Sequence, residues 1–425
     1  MKIQLAYGGS ALEITLPDAL NIDVVESKYA PGLADQTIAV REAIRNPIAS
    51  EPLREIVKAS DSVCIVVNDI TRATPYDIIL PAILEELNHI GEDQITLLVA
   101  TGTHRANTHD ELCTMFGKNF AGRYRIVQNN ANDRDSHALV GTTRSGNDIW
   151  IHKEYLKFDL RILTGFIEPH FFAGFSGGGK ACVPGMALLE TIQRNHCPEN
   201  IDHPKASWGI TCGNPIWEEI QEAVEMAGTN FLVNVTMNRD KNVTGVFAGD
   251  TKQAHERGCA FLKQNAMVPV QAPYDIVITS NSGYPLDLNL YQSVKGMSAA
   301  AQIIKESGTI IIAADCWDGI PDHGEFKKLL FEADTPSSLL ESIRTVNSPV
   351  QDLWQAQIHA RICEKNNIFL FSHNLTDEQI IRAMLKPCRD IPKTINQLLS
   401  SYGRKASICV LPEGPQTIPY ICSSS

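Results

Sequence analysis

Side chains able to move protons, bind a metal or form a covalent bond crowd into one stretch of this chain. Lys180 directly follows three glycines, Gly177, Gly178 and Gly179, with His170 ten residues before it and His196 sixteen after. Two more polar clusters lie upstream, Asp69-Ile70-Thr71-Arg72 and Thr101-Gly102-Thr103-His104-Arg105. Imidazole titrates near neutral pH, which suits acid/base transfer and metal ligation. Glycines remove side chains where backbone must approach a ligand, and their amides can line a concavity for an anion. An isolated Gly-Gly-Gly-Lys reads more simply as a flexible surface loop. The flanking histidines are what favour a site.

A phosphate-binding loop is the obvious competitor. Gly174 to Lys180 spells G-x-x-x-x-G-K, but Ala181 stands where a Ser or Thr hydroxyl would hold magnesium. Pro184 and Gly185 fall where the following helix would have to run. No G-x-G-x-x-G follows a strand-like run, so a nucleotide-dependent dehydrogenase or NTPase is kept only as an alternative.

The elements that must carry these groups are short apolar runs alternating with helical patterns: residues 63–68, 95–100, 160–167, 231–238, 274–280, 308–315, 367–372 and 406–412. Runs apolar on both faces suit strands covered on both sides, so the chain reads as α/β, with largely parallel or mixed sheets flanked by helices. Ligands in such sheets lie beyond the carboxyl ends of the strands. The first three runs lead directly into Asp69–Arg72, Thr101–Arg105 and Glu168–His170. The proline-containing segment 262–275 separates a helical stretch from a fresh strand. It predicts two lobes, a cofactor-binding and catalytic domain over 1–268 and a second α/β domain over 269–425, with the active site in the cleft between them.

Composition narrows the partners. With 37 basic against 49 acidic residues the net charge is −12, which disfavours nucleic acid. No apolar run approaches a membrane span and the amino terminus lacks an apolar leader, so no membrane partner is expected. Eleven scattered cysteines without a C-x-x-C pair suit a reducing, cytoplasmic compartment. The Ser423–Ser425 tail is expected to fray.

Taken together, Asp69-x-Thr71-Arg72, Thr101-Gly102-x-His104-Arg105, the run Glu168 to Gly185, Asn195-His196 and Tyr291-Gln292-x-x-Lys295-Gly296 resemble the nickel-pincer nucleotide-dependent lactate racemase family. The motifs occur in that family's order, at nearly its spacing, across most of the chain. The resemblance implies an isomerase that racemises or epimerises a small 2-hydroxy acid by reversible hydride transfer. It implies a nickel-pincer nucleotide attached covalently at Lys180, with His196 as the nickel ligand and His104 and His170 as acid/bases. Asp69, Ile70, Thr71, Arg72 and Gly177–Gly179 would contact the cofactor, and Arg72, Tyr291, Gln292 and Lys295 the substrate. Cofactor-biosynthesis proteins would be partners.

Structural readings stand beside these. Arg72 is equally a surface ion-pair partner, Asp69 and Thr71 caps for a helix beginning near Pro75, and Gln292 with Lys295 one solvated helical face. Trp354 matches a family position only by approximate spacing and reads as well as a core or lid aromatic. A non-catalytic carrier of the cofactor is the other alternative, though it needs Lys180 and His196 but not paired bases.

Overall fold

The computed structural model describes residues 1–322, 324–346 and 350–422, so the Ser423–Ser425 tail lies outside the described residues. Two compact units emerge, one of Tyr29–Gln264 and one of Met1–Lys28 with Asn265–Ser425.

The Tyr29–Gln264 unit is built on a six-stranded sheet ordered Val243–Gly249, Phe231–Met237, Leu160–Phe166, Val63–Asn68, Ile95–Ala100, Arg125–Gln128. Only the pair Phe231–Met237 and Val243–Gly249 is antiparallel. The centre is occupied by the least polar run: Val63, Cys64, Ile65, Val66 and Val67 are all 0% exposed. Each fully buried aliphatic side chain of this kind contributes roughly 1.5–3 kcal/mol. One face packs on the helix Tyr76–Glu86 through Ile79, Leu80 and Ile83. Register aligns Asn68 with Ala100, while Val66 pairs with Leu163. The three central strands therefore finish side by side, and their following loops start from one edge.

The other unit carries a six-stranded, all-parallel sheet ordered Lys386–Cys388, Asn367–Phe371, Ile304–Ala313, Tyr274–Ser280, Ser407–Leu411, Asn21–Val24. Its last strand corrects the expected first domain of 1–268. Asn21–Val24 pairs with Ser407–Leu411, and the hairpin of Lys2–Tyr7 with Ser10–Thr15 sends Ile3, Leu5 and Ile14 into a core shared with Ile276, Ile311 and Val410. Residues 1–28 thus belong with the carboxyl-terminal half, because burying that hairpin's apolar face requires a sheet formed much later in the chain. The second junction, between Gln264 and Asn265, falls within the helix Thr251–Ala266 and the 262–275 segment. Among the described residues no helix is long and apolar enough to cross a membrane.

Candidate functional site

Asp69 leaves the strand Val63–Asn68 buried, 4% exposed, and its carboxylate is fully engaged. Oδ1 accepts from the Thr71 backbone N–H at 3.1 Å and the Thr71 hydroxyl at 2.6 Å, while Oδ2 meets His104 Nδ1 at 2.6 Å. Burial pushes this carboxyl up, but hydrogen bonds from His104 and Thr71 outweigh it and hold it below the usual carboxylate range. A carboxylate can only accept, so Nδ1 of His104 donates and the Nε2 lone pair is left as a base. The His104 side chain is 40% exposed.

Neighbouring loops hold this pair. The Ile70 N–H donates to Asn107 Oδ1 at 3.0 Å, and Asn107 is clamped by both amide atoms of Gln128. Thr101 donates to the Asn129 carbonyl at 2.9 Å, and the Gly102 N–H donates to the Gly185 carbonyl at 3.1 Å, which ties the His104 turn to the glycine-rich segment. Asp69 and Thr71 do not cap the Tyr76–Glu86 helix; Pro75 occupies its N-cap without a side-chain hydrogen bond. Arg72 is half-buried, and among the described residues its guanidinium meets no carboxylate within ion-pair distance, which removes the surface-pair reading.

Beyond the strand Leu160–Phe166 the chain makes a tight hairpin, Pro169–His170 against Gly174–Phe175. His170 is buried, and its Nδ1 accepts from the Ala173 N–H at 3.2 Å. That hydrogen bond uses the Nδ1 lone pair, whereas Nδ1 of His104 donates. Phe172, at the hairpin tip, is the common neighbour of three expected site residues. Its ring lies edge-on to His170 at 4.5 Å and to His196 at 4.9 Å, with Lys180 Nζ 5.6 Å from its centroid. His196 terminates the short helix Leu189–Asn195 and is 5% exposed. Burial, with the Lys180 ammonium, holds its imidazole well below the usual range, so it is a neutral donor. His104 comes from the neighbouring strand end, and the His104 and Lys180 segments meet at Gly102 and Gly185.

The glycines act differently from expectation. A Cβ on Gly177 would lie 2.6 Å from Asn234 Oδ1, one on Gly178 2.7 Å from the His255 ring, and one on Gly179 2.8 Å from Val224 Cγ2. Gly177 and Gly178 also hold positive φ, 76° and 56°. The missing side chains thus let the loop seat against its own protein. The Gly178 amide is spent on Asn234 at 2.7 Å, so it is not available to an anion. Gly178–Ala181 forms one tight turn and no helix begins until Leu189, so a P-loop helix is excluded. Sequence reasoning passed over Phe172, Asn234 and His255. His255 is buried flat on Trp217 at 4.7 Å and donates from Nε2 to the Ser176 carbonyl at 2.8 Å; burial pushes it down to about 4. Only the Phe172 position was marked, by lying inside the motif.

In the other unit, Tyr291, Gln292 and Lys295 lie on the first turns of the helix Leu290–Ala300, capped by Asn289, whose Oδ1 accepts from the Gln292 N–H. All three are partly buried, so this is not a wholly solvated face. Gln355, on the helix Leu353–Lys365, donates to the Tyr291 carbonyl, and Trp354 beside it is 6% exposed.

Residues 7–209 match the lactate racemase N-terminal domain and residues 270–418 the lactate racemase C-terminal domain. The lactate racemase of Thermoanaerobacterium thermosaccharolyticum is 35% identical over 423 residues, 98% of this chain and 99% of that one. That of Lactiplantibacillus plantarum is 38% identical over 392 residues, 91% of each. The solved lactate racemase apoprotein from T. thermosaccharolyticum superposes with a TM-score of 0.93 at 34% identity, covering 99% of this chain and 100% of that one. A Thermotoga maritima structure, at 17% identity, TM-score 0.70 and coverage of 93% and 100%, bears on the fold alone.

Proposed function

The chain belongs to the lactate racemase family, and on that premise we propose that it interconverts the enantiomers of a small 2-hydroxy acid, lactate first among them, with a nickel-pincer nucleotide. The observation that carries this reading is the gathering of His170, Lys180 and His196 around the Phe172 ring. A covalent anchor and a metal donor need to reach opposite parts of one planar group, and an amine and an imidazole beside the same aromatic ring suit that need. A neutral, buried imidazole is also the donor that nickel in a sulfur-rich setting accepts well. When bound, the cofactor supplies a hydride acceptor and donor for the carbon bearing the substrate hydroxyl.

The remaining chemistry is the chain's own. Lys180 holds the cofactor and His196 gives nickel its protein ligand. His104, with Nδ1 donating to Asp69, takes the hydroxyl proton at Nε2. His170, its ring held by the Ala173 N–H at Nδ1 and by the Phe172 edge, is the acid/base group for the hydroxyl of the mirror-image substrate on the other face. Two bases are needed because the two enantiomers direct their hydroxyls to different sides. Arg72 and Lys295 provide fixed cations for the substrate carboxylate, while Gln292 and Tyr291 complete its polar contacts. Ile70, Asp69 and Thr71 frame the cofactor, and Gly177–Gly179 seat the loop that presents Lys180. In a mere carrier the Asp69–His104 pair would have no task. Eleven thiols free of disulfides suit a cytoplasmic setting, where cofactor-biosynthesis proteins would load the enzyme.

The test is to mix cofactor-loaded protein with single enantiomers of lactate, malate and a longer 2-hydroxy acid and follow optical rotation. Rotation should decay to zero with lactate from either hand. Nickel-loaded protein that leaves every enantiomer unchanged overturns the reading.

A further inference from the structure

Behind the site lies a buried carboxylate that the proposed reaction does not use. Glu219, 7% exposed on the helix Pro215–Ala227, accepts hydrogen bonds from four side chains. Oε1 takes the hydroxyls of Thr143, at 3.2 Å, and Ser145. Oε2 takes the amide nitrogens of Asn147, at 3.0 Å, and Asn195, at 2.7 Å. The carboxylate accepts two hydrogen bonds at each oxygen, and among the described residues no cation pairs with it. A buried charge held only by neutral donors is costly unless its geometry is fully satisfied, and it fixes the groups around it more tightly than apolar packing would.

What it fixes is the helix end that carries His196. Asn195 is the last residue of the helix Leu189–Asn195, and its amide nitrogen bridges Glu219 and the Ile216 carbonyl, at 3.2 Å. Its carbonyl accepts from Asn200 Nδ2 at 2.9 Å. Asn147 reaches the same helix one turn earlier, donating to the Thr191 carbonyl at 3.1 Å as well as to Glu219. The next side chain after this clamp is the imidazole of His196, set edge-on to Phe172.

We propose that Glu219 is a positioning residue for His196, acting through Asn195: the carboxylate locks the helix end and thereby the direction of the imidazole. The nickel consequence rests on the function proposed above; the placement of the ring does not. Partners one step removed from a metal ligand typically change metal affinity by about 10–100-fold when lost.

Chemistry separates the variants. Glu219→Leu keeps the volume but leaves the Asn147 and Asn195 amides without their acceptor. Glu219→Gln can turn its oxygen to those amides and its nitrogen to the two hydroxyls, which can reverse their roles. Asn195→Ala cuts only the arm that leads to His196. Ser145→Ala cuts an arm on the opposite oxygen. Crystal structures of the apoproteins read the His196 ring directly. The 4.9 Å contact with Phe172 should be lost or split between positions in Asn195→Ala and Glu219→Leu, and kept in Glu219→Gln and Ser145→Ala. In loaded protein dialysed against a chelator, nickel per covalent adduct should fall with an affinity loss of about 10–100-fold in the first pair only, the adduct mass itself being retained. A His196 ring undisturbed in Asn195→Ala, or displaced equally in Ser145→Ala, overturns the proposal, and these two variants decide it even if Glu219→Leu fails to fold. Loaded wild type that binds no nickel would instead sink the proposed function, with the crystal comparison still deciding Glu219.

Discussion

His104 and His170 are proposed for the same task, yet the two are built from opposite materials. His104 stands on an open turn, 40% exposed, held by a carboxylate that is itself held by Thr71. His170 is enclosed in a two-residue-strand hairpin, held by a backbone N–H, by the tilted ring of Phe171 and by the edge-on ring of Phe172. One ring is fixed by charge and the other by burial. The consequence is two rings whose Nδ1 atoms do opposite jobs, donating to a carboxylate in His104 and accepting from a backbone N–H in His170. A racemase meeting either enantiomer needs a base for each direction of the hydroxyl, and these two rings are held in place by independent means.

The largest effect should come from removing one ring at a time. His104→Ala and His170→Ala should each lose about 10²–10⁴-fold in turnover in both directions. Their first half-reactions should differ by hand: one mutant responds to one enantiomer and the other to its mirror image. Rapid mixing with each pure enantiomer, following the visible absorbance of the loaded enzyme, measures this. Identical responses of both mutants to both enantiomers would break the two-sided assignment.

Asp69→Asn should sharpen the contrast at smaller cost, roughly 10²-fold. The Thr71 N–H demands an oxygen at the Oδ1 position, so the new amide nitrogen must face His104 and force Nδ1 to accept. The proton of the His104 ring then moves to Nε2, and its base is lost while the fold remains. Nitrogen chemical shifts of labelled histidines would report the flip, and an unchanged His104 tautomer would defeat the argument. Thr71→Val removes only the hydroxyl donor to Asp69, about 1 kcal/mol or roughly fivefold in rate, with His170 unaffected.

How far the sequence could foresee this depends on distance along the chain. The central strands were readable almost to the residue, because a run such as Val63–Val67 is apolar on both faces whatever surrounds it. The reactive loops were readable for the same reason, as they follow directly from strands. Two things were not. The strand Lys2–Tyr7 lies outside the apolar runs, since it buries only Ile3, Leu5 and Tyr7, against Ile276, Ile311 and Val410 beyond residue 270. The glycines before Lys180 were read as making room for a ligand, whereas they make room for Asn234, His255 and Val224, residues roughly 45–80 positions later. Glu219 lies on the same side of that line: its donors, from Thr143 to Asn195, are individually ordinary, and only folding brings them to one carboxylate.

The smallest expected effect is a difference in acid sensitivity between the two histidine loops. Asp69 has its carboxyl held below the usual range, and Glu111, which pairs with Arg105 and caps the helix His109–Phe116, has its own pushed down to about 2. A carboxyl depressed in the folded state stabilises the fold above its unfolded value, roughly 4, and that contribution disappears as pH falls through the folded value. As pH falls from about 4 toward 2 the segment 101–112 should therefore loosen, as the Arg105–Glu111 and Asp69–His104 pairs weaken. Its exposed ion pair is worth at most about 1 kcal/mol, so the change is local opening rather than global unfolding. The Ala173 N–H, Phe171 and Phe172 that hold the His170 ring do not titrate in this range. Hydrogen exchange, corrected for the intrinsic acid dependence, should show protection falling in residues 101–112 while residues 169–175 stay protected. Parallel loss in both segments would mean that the two loops open as one unit, and the distinction between charge-held and burial-held histidines would fail.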